Sequence, residues 1–307
     1  MDVSVIIVNY KTSALISDCV RSILEKTKDL KYEVIIVDND SEPDFKEKIS
    51  EVIPEEMAER FSFMPLQENV GFGRANNEGL KRAKGRNIFF LNPDTVLVND
   101  AIGILSQFLD SSPDVGACGG NLYNGDLQPV HSFRRMSPGI LWETNVLLNV
   151  LPQKMLFGKN AVHNHTESPV EVAFINGADL MVKKEVLDRI GSFSPEFFMY
   201  FEETDLCRRI RRAGLKIVSV PEAKIQHLES KSFDPTQKYE SEFKTRLLEE
   251  SRLIYYRRNN SGLNRLVSDL IYLMYLKSRV LLIRNVVKKE YYELRLKTFK
   301  ENKRKKA

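Results

Sequence analysis

The stretch NIFFLNPDT, Asn87 to Thr95, decides the fold. Ile88, Phe89, Phe90 and Leu91 follow one another without a polar break, the pattern of a strand covered on both faces, as central parallel strands are. Pro93 has no N–H to give a neighbouring strand, so the run must leave the sheet there. Asp94 then stands at the carboxyl end of a central strand, where open α/β sheets bind ligands. Asn, Pro and Asp are also turn formers, so these residues alone fit a plain turn equally well.

The flanking segments break that tie. Val3 to Val8 is a short β-branched run ending at Asn9-Tyr10-Lys11-Thr12, and Ala14 to Lys26 carries Leu15, Cys19, Val20, Ile23 and Leu24 at helical spacing. Glu33 to Val37 reads as a second strand, closed by Asp38-Asn39-Asp40-Ser41. Phe61 to Leu66 reads as a third, and Gly71-Phe72-Gly73 opens a helix over Arg74 to Lys84. After the central run, Asn99 or Asp100 caps a helix with Ile102, Leu105, Phe108 and Leu109 inward. Val115 to Gly119 and Lys216 to Val220 are short strands, and Lys184 to Ile190 is helical. Strands alternating with helices imply βαβ units, a parallel sheet and right-handed crossovers. All strand ends then gather along one edge, so Asn9, Asp38, the Gly71 loop and Asp94 share one crevice.

From Asn121 to Ser168 the pattern loosens into a long insertion, with a turn at Asn124-Gly125 and no role assigned to His131, His163 or His165. Order returns at Asn176-Gly177-Ala178-Asp179. In FFMYFEETDLCRRIRRAG, Phe197 to Gly214, aromatics lead into an acidic cluster that opens a helix, where carboxylates suit the macrodipole. Tyr239 to Tyr256 and Leu263 to Val287 read as two further helices. The longest charge-free run of the second, Leu270 to Leu276, falls far short of the ~20 apolar residues of a membrane span, so it is expected to pack or to lie at an interface.

Apolar residues make up 42% and charged residues 29% of the 307, the balance of a soluble globular chain. Three widely spaced cysteines suggest neither a disulfide framework nor a zinc knuckle, which fits a reducing, cytoplasmic setting. The N-terminus has no basic region, and VSVIIV is too short for a signal peptide. The net charge of +4 is uneven. Lys277 to Ala307 holds 12 Lys/Arg and 3 Glu, a net of +9, which leaves −5 on the rest. The basic C-terminus calls for an anionic partner, and an anionic membrane surface suits a tail that follows an apolar helix. No nucleic-acid fold accompanies it, so nucleic acid is not expected.

Taken in order, VSVIIVNYKT, EVIIVDNDS, ENVGFGRANNEG, FFLNPDT, FINGADLMV and FFMYFEETDLCRR resemble a family 2 glycosyltransferase of the GT-A fold, nearest its rhamnosyltransferase-like branch. One such motif carries little weight, whereas six in order, each at a strand end or helix start, are specific. The resemblance covers Val3 to Ser230. It implies an α/β fold, a Rossmann-like and mainly parallel sheet flanked by helices, over residues 1–230. Residues 231–307 form a C-terminal helical, basic extension that associates with membrane or oligomerises, a homodimer being one arrangement.

The resemblance also implies roles. Val8, Asn9, Tyr10 and Asp38 hold base and ribose; Asn69, Gly71, Phe72 and Asn76 line ribose and diphosphate. Asn92-Pro93-Asp94 stands at the family's Asp-X-Asp motif, with Asp94 a metal ligand and Asn92 a departure that removes one negative charge. His227 matches a histidine that completes the metal shell in some relatives. Asn176, Gly177 and Asp179 face the acceptor, Glu202 binds or supports it, Asp205 braces the helix or contacts the acceptor, and Glu203, where Asp is common, is the base. The reaction so implied is inverting transfer of a sugar from a dTDP- or UDP-sugar, foremost L-rhamnose from dTDP-rhamnose, to a saccharide or polyprenyl-linked acceptor. The enzyme would work at the inner face of the cell membrane. The physical chemistry agrees: a diphosphate leaving group needs Mg²⁺ or Mn²⁺, and an acceptor hydroxyl needs a carboxylate base. A catalytically inactive sugar- or lipid-binding scaffold is the rival of another class.

Overall fold

Neighbouring residues of the apolar runs point to opposite faces of one sheet, which is why those runs lack a polar break. Ile7, Ile36, Phe89 and Leu91 join the core on one face; Ile6, Ile35, Ile88 and Phe90 join the core on the other. Each large side chain so buried is worth about 1.5–3 kcal/mol. These placements come from a computed structural model, which describes residues 1–40, 45–158, 166–228 and 242–305. The chain forms two units. One holds the described residues within Met1–Arg135, His163–Pro195 and Glu202–Ser232; the other holds those within Met136–Val162, Glu196–Phe201 and Phe233–Ala307. The second unit therefore takes in two segments that precede the expected boundary at residue 230.

The first unit is built on strands β1 (Val3–Asn9), β2 (Tyr32–Asn39), β3 (Phe61–Leu66), β4 (Asn87–Leu91), β5 (Thr95–Leu97), β6 (Val115–Tyr123), β7 (Phe133–Arg134), β8 (Val170–Glu171), β9 (Phe174–Ile175), β10 (Asp179–Lys183) and β11 (Lys216–His227). The main sheet runs β3-β2-β1-β4-β10-β6-β11-β5, with β8 also on β11 and β7 paired to β9 apart from it. β1, β2, β3 and β4 are parallel, as are β6 and β11, while β10, β5 and β8 join antiparallel. The sheet is thus mixed on one side and parallel on the other. Register brings Asn9 beside Asp38, Ile7 beside Leu91, and Asp179 beside Leu91, so the carboxyl ends of β1, β2 and β4 meet the start of β10.

Helices α1 (Ser13–Lys26), α2 (Phe45–Ser50), α3 (Phe72–Leu80), α4 (Ala101–Ser111), α7 (Lys184–Ile190) and α8 (Glu202–Arg212) belong to this unit, with a 3₁₀ turn at Glu55–Arg60. The Asp100 carboxylate accepts from the Gly103 amide and so is the cap of α4. α3 lies close on the sheet because Gly79 has no side chain: a Cβ there would stand 2.7 Å from the Ile6 Cγ2.

The second unit contains α5 (Ile140–Leu147), α6 (Leu151–Phe157), α9 (Glu242–Asn259), α10 (Gly262–Leu282) and α11 (Val286–Lys305). Its interior is charged. Arg252 donates to Glu143 Oε1 at 2.8 Å and to Asp269 Oδ1 at 3.0 Å, with its guanidinium 3.9 Å from the centre of the Tyr272 ring. Arg295 donates to Glu249 Oε1 at 2.6 Å and to the Tyr272 hydroxyl at 2.7 Å. Two expectations change here. Part of the insertion at Asn121 to Ser168 is ordered as α5 and α6, although His163 and His165 lie outside the described residues. The helix expected over Leu263 to Val287 ends at Leu282, and the basic C-terminus, helical as expected, forms the separate α11, where Arg295 and Lys303 spend their charge on Glu249 and Asp269. Among the described residues no helix is long and apolar enough to cross a membrane.

Candidate active site

The turn after β4 is held from three sides. The Asn92 amide donates to Ala178 O at 2.9 Å, Thr95 Oγ1 donates to Asn92 O at 2.7 Å, and the Leu228 amide donates to Asp94 O at 2.8 Å. Cys19 lies buried beneath it, its thiol 3.6 Å from Thr95 Oγ1; burial raises its pKa to about 12, so it stays neutral. β11 runs past this turn and ends at His227, paired with Thr95. The Asp94 Oδ1 and His227 Nε2 atoms are 3.3 Å apart, and the Asn92 amide nitrogen is 3.5 Å from the same ring nitrogen. Two residues separated by 133 positions thus present a carboxylate and an imidazole to one point.

These residues suit a divalent cation. One carboxylate and one imidazole are the donors expected of a Mg²⁺ or Mn²⁺ site with a preference for Mn²⁺, and the buried Asn92 Oδ1 accepts no hydrogen bond. Among the described residues no cluster of three or more His, Cys, Asp or Glu forms a complete protein cage. The arrangement therefore fits an ion whose remaining ligands come from phosphate and water, as Mg²⁺ sites usually do.

At the ends of β1 and β2, Asn9 is fully buried and donates to Asp38 Oδ1 at 3.4 Å, while Thr12 Oγ1 donates to Asn9 Oδ1 at 2.7 Å. Tyr10 is exposed, with the Lys11 ammonium 5.2 Å from its ring centre. Val8 is buried in the sheet. Asn39, which pattern reading passed over, organises the next loop. Its side chain donates to Asn69 Oδ1 at 2.9 Å and accepts from the Val70 amide at 3.0 Å, and Asn69 Oδ1 also accepts from the Gly71 amide. Gly71 then has φ 90°, a conformation glycine adopts without strain, and α3 begins. The signal for Asn39 was its place inside the polar DNDS run, one residue past Asp38 and hence on the other face of the strand.

Several of the expected residues have partners within the fold. Asn76 is buried, and its amide donates to Phe72 O within α3. Asp179 has no exposed surface. It accepts from the Gly120 amide at 2.6 Å between β10 and β6, and burial pushes its pKa well above the carboxylate range. Asp205 is buried and ion-paired with Arg209 at 2.9 Å, and Arg209 also holds the carbonyls of Ile190 and Gly191. Arg74 donates to Pro195 O at 2.6 Å, a scaffold contact. Phe72 packs edge-on against Phe193.

Glu203, expected as the base, is half-buried. It sits in the first turn of α8, and burial raises its carboxyl pKa while the Thr204 hydroxyl, donating at 2.9 Å, works the other way. A Cβ on Gly177 would stand 3.5 Å from Glu203 Cγ, so the Asn176–Ala178 turn lies against the carboxylate's stem. Asn176 shapes that turn by donating to His131 O and accepting from the Ala178 amide. Glu202, buried, stands beside Gly73 at the start of α3. A continuous set of contacts therefore joins His227 and Asp94, through Asn92 and Ala178, to Gly177 and Glu203.

Residues 4–177 match the family model for Glycosyl transferase family 2. The chain belongs to this family. It carries a glycosyltransferase domain, and relatives named rhamnosyltransferases and hexosyltransferases accompany it at modest identity. The low-salt glycan biosynthesis hexosyltransferase Agl10 of Haloferax volcanii is 26% identical over 70% of this chain and 64% of its own length. The N-acetylglucosaminyl-diphospho-decaprenol L-rhamnosyltransferase of Mycobacterium tuberculosis is 25% identical over 53% of this chain and 57% of its own. The match thus spans less than two thirds of these relatives. The crystal structure of GalNAc-T7 with UDP, GalNAc and Mn²⁺ superposes on 98% of this chain and 56% of that one, with TM-score 0.64 and 16% identity. The mannosyltransferase PcManGT from Pyrobaculum calidifontis, in complex with GDP-Man and Mn²⁺, superposes on 99% of this chain and 88% of that one, with TM-score 0.57 and 14% identity. These likenesses show the GT-A fold.

Proposed function

We propose that the protein is a metal-dependent inverting glycosyltransferase that moves a sugar, foremost L-rhamnose from dTDP-rhamnose, onto a saccharide or polyprenyl-linked saccharide. The observation that carries this reading is the 3.3 Å approach of Asp94 and His227 at the sheet edge, linked through the Asn92 turn to Gly177 and Glu203. The rhamnosyltransferase names among its relatives support the donor.

Asp94 and His227 would hold a divalent cation, which when bound supplies positive charge for the leaving diphosphate. Asn9 and Asp38 meet the base and ribose at the ends of β1 and β2, and the loop shaped by Asn39 and Asn69 carries backbone amides towards the phosphates. The acceptor hydroxyl gives its proton to a Glu203 carboxylate oxygen as its own oxygen bonds to the anomeric carbon, and the bond to the diphosphate breaks with its electron pair. One displacement from the face opposite the leaving group inverts the centre. Burial, which raises the Glu203 pKa, makes its carboxylate a better proton acceptor than a solvated one.

Calorimetric titration with dTDP, UDP and GDP, each with and without Mn²⁺, tests the reading. One nucleotide should bind tightly and only with metal, and Asp94→Ala should weaken it by about 100-fold or more. Tightest binding of UDP would replace the dTDP donor by a UDP-sugar. Binding of none, by folded protein, would leave the sugar- or lipid-binding scaffold as the better account.

A further inference from the structure

α10 is amphipathic in reverse. Its buried face is largely polar and aromatic: Ser268, Asp269, Tyr272 and Tyr275 point into the second unit beside one leucine, Leu276, and there Asp269 and Tyr272 meet Arg252. Its outward face is apolar, with Leu263, Leu266, Leu270, Met274 and Leu281 each more than half exposed. At 3.6 residues per turn these five fall within an arc of about 80° and run for roughly 27 Å. Isolated exposed leucines need no explanation, but a stripe of this kind marks an interaction surface.

The charges around the stripe select its occupant. Lys277 lies within the same arc, and Arg284, Lys288 and Lys289 follow directly, all four exposed. The acidic residue of α10, Asp269, is buried on the opposite face. A second protein copy laid along the stripe would bury Lys277 against leucines and bring like charges together. A bilayer asks for no such thing: leucines enter the acyl boundary while a lysine stem runs upward and its ammonium meets headgroup phosphates. We propose that the outward face of α10, from Leu263 to Leu281 with the cations to Lys289, lies on an anionic lipid surface. This deepens the reading of a lipid-linked acceptor. It differs from attraction of a basic tail alone, because the leucines carry much of the affinity and part of the tail's charge is spent inside the unit on Glu249 and Asp269.

Co-sedimentation with vesicles of phosphatidylglycerol and phosphatidylcholine, against phosphatidylcholine alone, tests it. The full chain should pellet with the anionic vesicles and weakly with the neutral ones. Leu270→Glu, and separately Leu266→Gln, should each lower partitioning, the first on the order of tenfold. Lys288→Glu with Lys289→Glu should lower it at low salt and far less at high salt. Both leucine positions are exposed, so thermal unfolding and nucleotide titration should match the parent protein. Binding that ignores Leu270→Glu overturns the proposal, as does a parent dimer that this substitution splits while vesicle binding persists. Vesicle binding by a chain that takes no nucleotide would sink the catalytic reading and leave this surface standing.

Discussion

Both units bury carboxylates, and Glu203 is answered differently from the rest. In the helical unit, Arg252 faces Glu143 and Asp269, and Arg295 faces Glu249, so each buried cation meets a carboxylate at hydrogen-bonding distance. In the sheet unit, Asp205 is likewise paired with Arg209, but the half-buried Glu203 has a neighbouring hydroxyl as its side-chain partner, and Asn92 Oδ1 is buried without a donor. A buried charge answered from within the fold holds helices together; a half-buried carboxylate answered only by a hydroxyl is available to something that arrives. The difference teaches that burial alone does not mark a catalytic group: Asp179 is wholly buried and held by an amide, whereas Glu203 keeps part of its surface exposed beside a single hydroxyl.

The largest expected effect tests the sheet side of that contrast. Glu203→Gln should lower transfer by about 10²–10⁴-fold while metal-dependent nucleotide binding persists. In the parent enzyme, rate should fall on the acid side with a midpoint above the ordinary glutamate value of about 4.3. The stability effect has a definite sign. A carboxyl whose folded pKa is raised holds its proton more tightly when folded, so its contribution is lost as pH rises through that interval. Glu203→Gln should therefore be at least as stable as the parent near pH 7, with any gain fading towards about pH 4 in urea titrations. A variant that transfers normally would remove Glu203 from the mechanism.

On the helical side, Arg252→Ala leaves Glu143 and Asp269 buried without their main cation and should cost about 3–5 kcal/mol in thermal or urea unfolding. Adding Glu143→Gln and Asp269→Asn should recover much of that loss, because no charge is then left unanswered. A cost near zero for Arg252→Ala would show that the network is peripheral to stability and would weaken the contrast. The smallest effect concerns Asn39, which is neutral and acts through the Asn69 loop. Asn39→Ala should lower nucleotide affinity about fivefold, the worth of roughly one hydrogen bond, without moving the acid limb of the rate profile. A shifted limb would mean that Asn39 reaches the reacting centre.

Much of the sheet unit was legible because its signals are local. Uninterrupted apolar runs, the Pro93 stop and the strand-end positions of Asn9, Asp38 and Asp94 each depend on a few adjacent residues. β11 shows where local reading fails. Pro221 argues for ending the strand at Val220, yet the strand continues to His227, because the register shifts between Ser219 and Lys224 and the proline falls where the ladder is interrupted. That irregularity is what carries His227 to Asp94. Asn76 and Asp179 resembled site residues by motif, and their burial follows from the packing of α3 on the sheet and of β10 against β6. The helical unit was the least legible. α5 buries Glu143 and Asn145, and α10 buries Ser268, Asp269, Tyr272 and Tyr275 beside Leu276, so the apolar residues of these helices do not by themselves mark the packed face.

The sequence by itself determined the alternation of strands and helices, the family, and the order of the motifs along one sheet edge, since each is written in short runs whose chemistry needs no distant partner. The tertiary structure alone decided which carboxylates stay available. Whether Asp205, Asp179 or Glu203 meets a cation, an amide or a recess depends on Arg209, Gly120 and Gly177, whose approach is set by long-range packing. Desolvation and partner distance govern the state of a carboxylate, and both are properties of the folded chain.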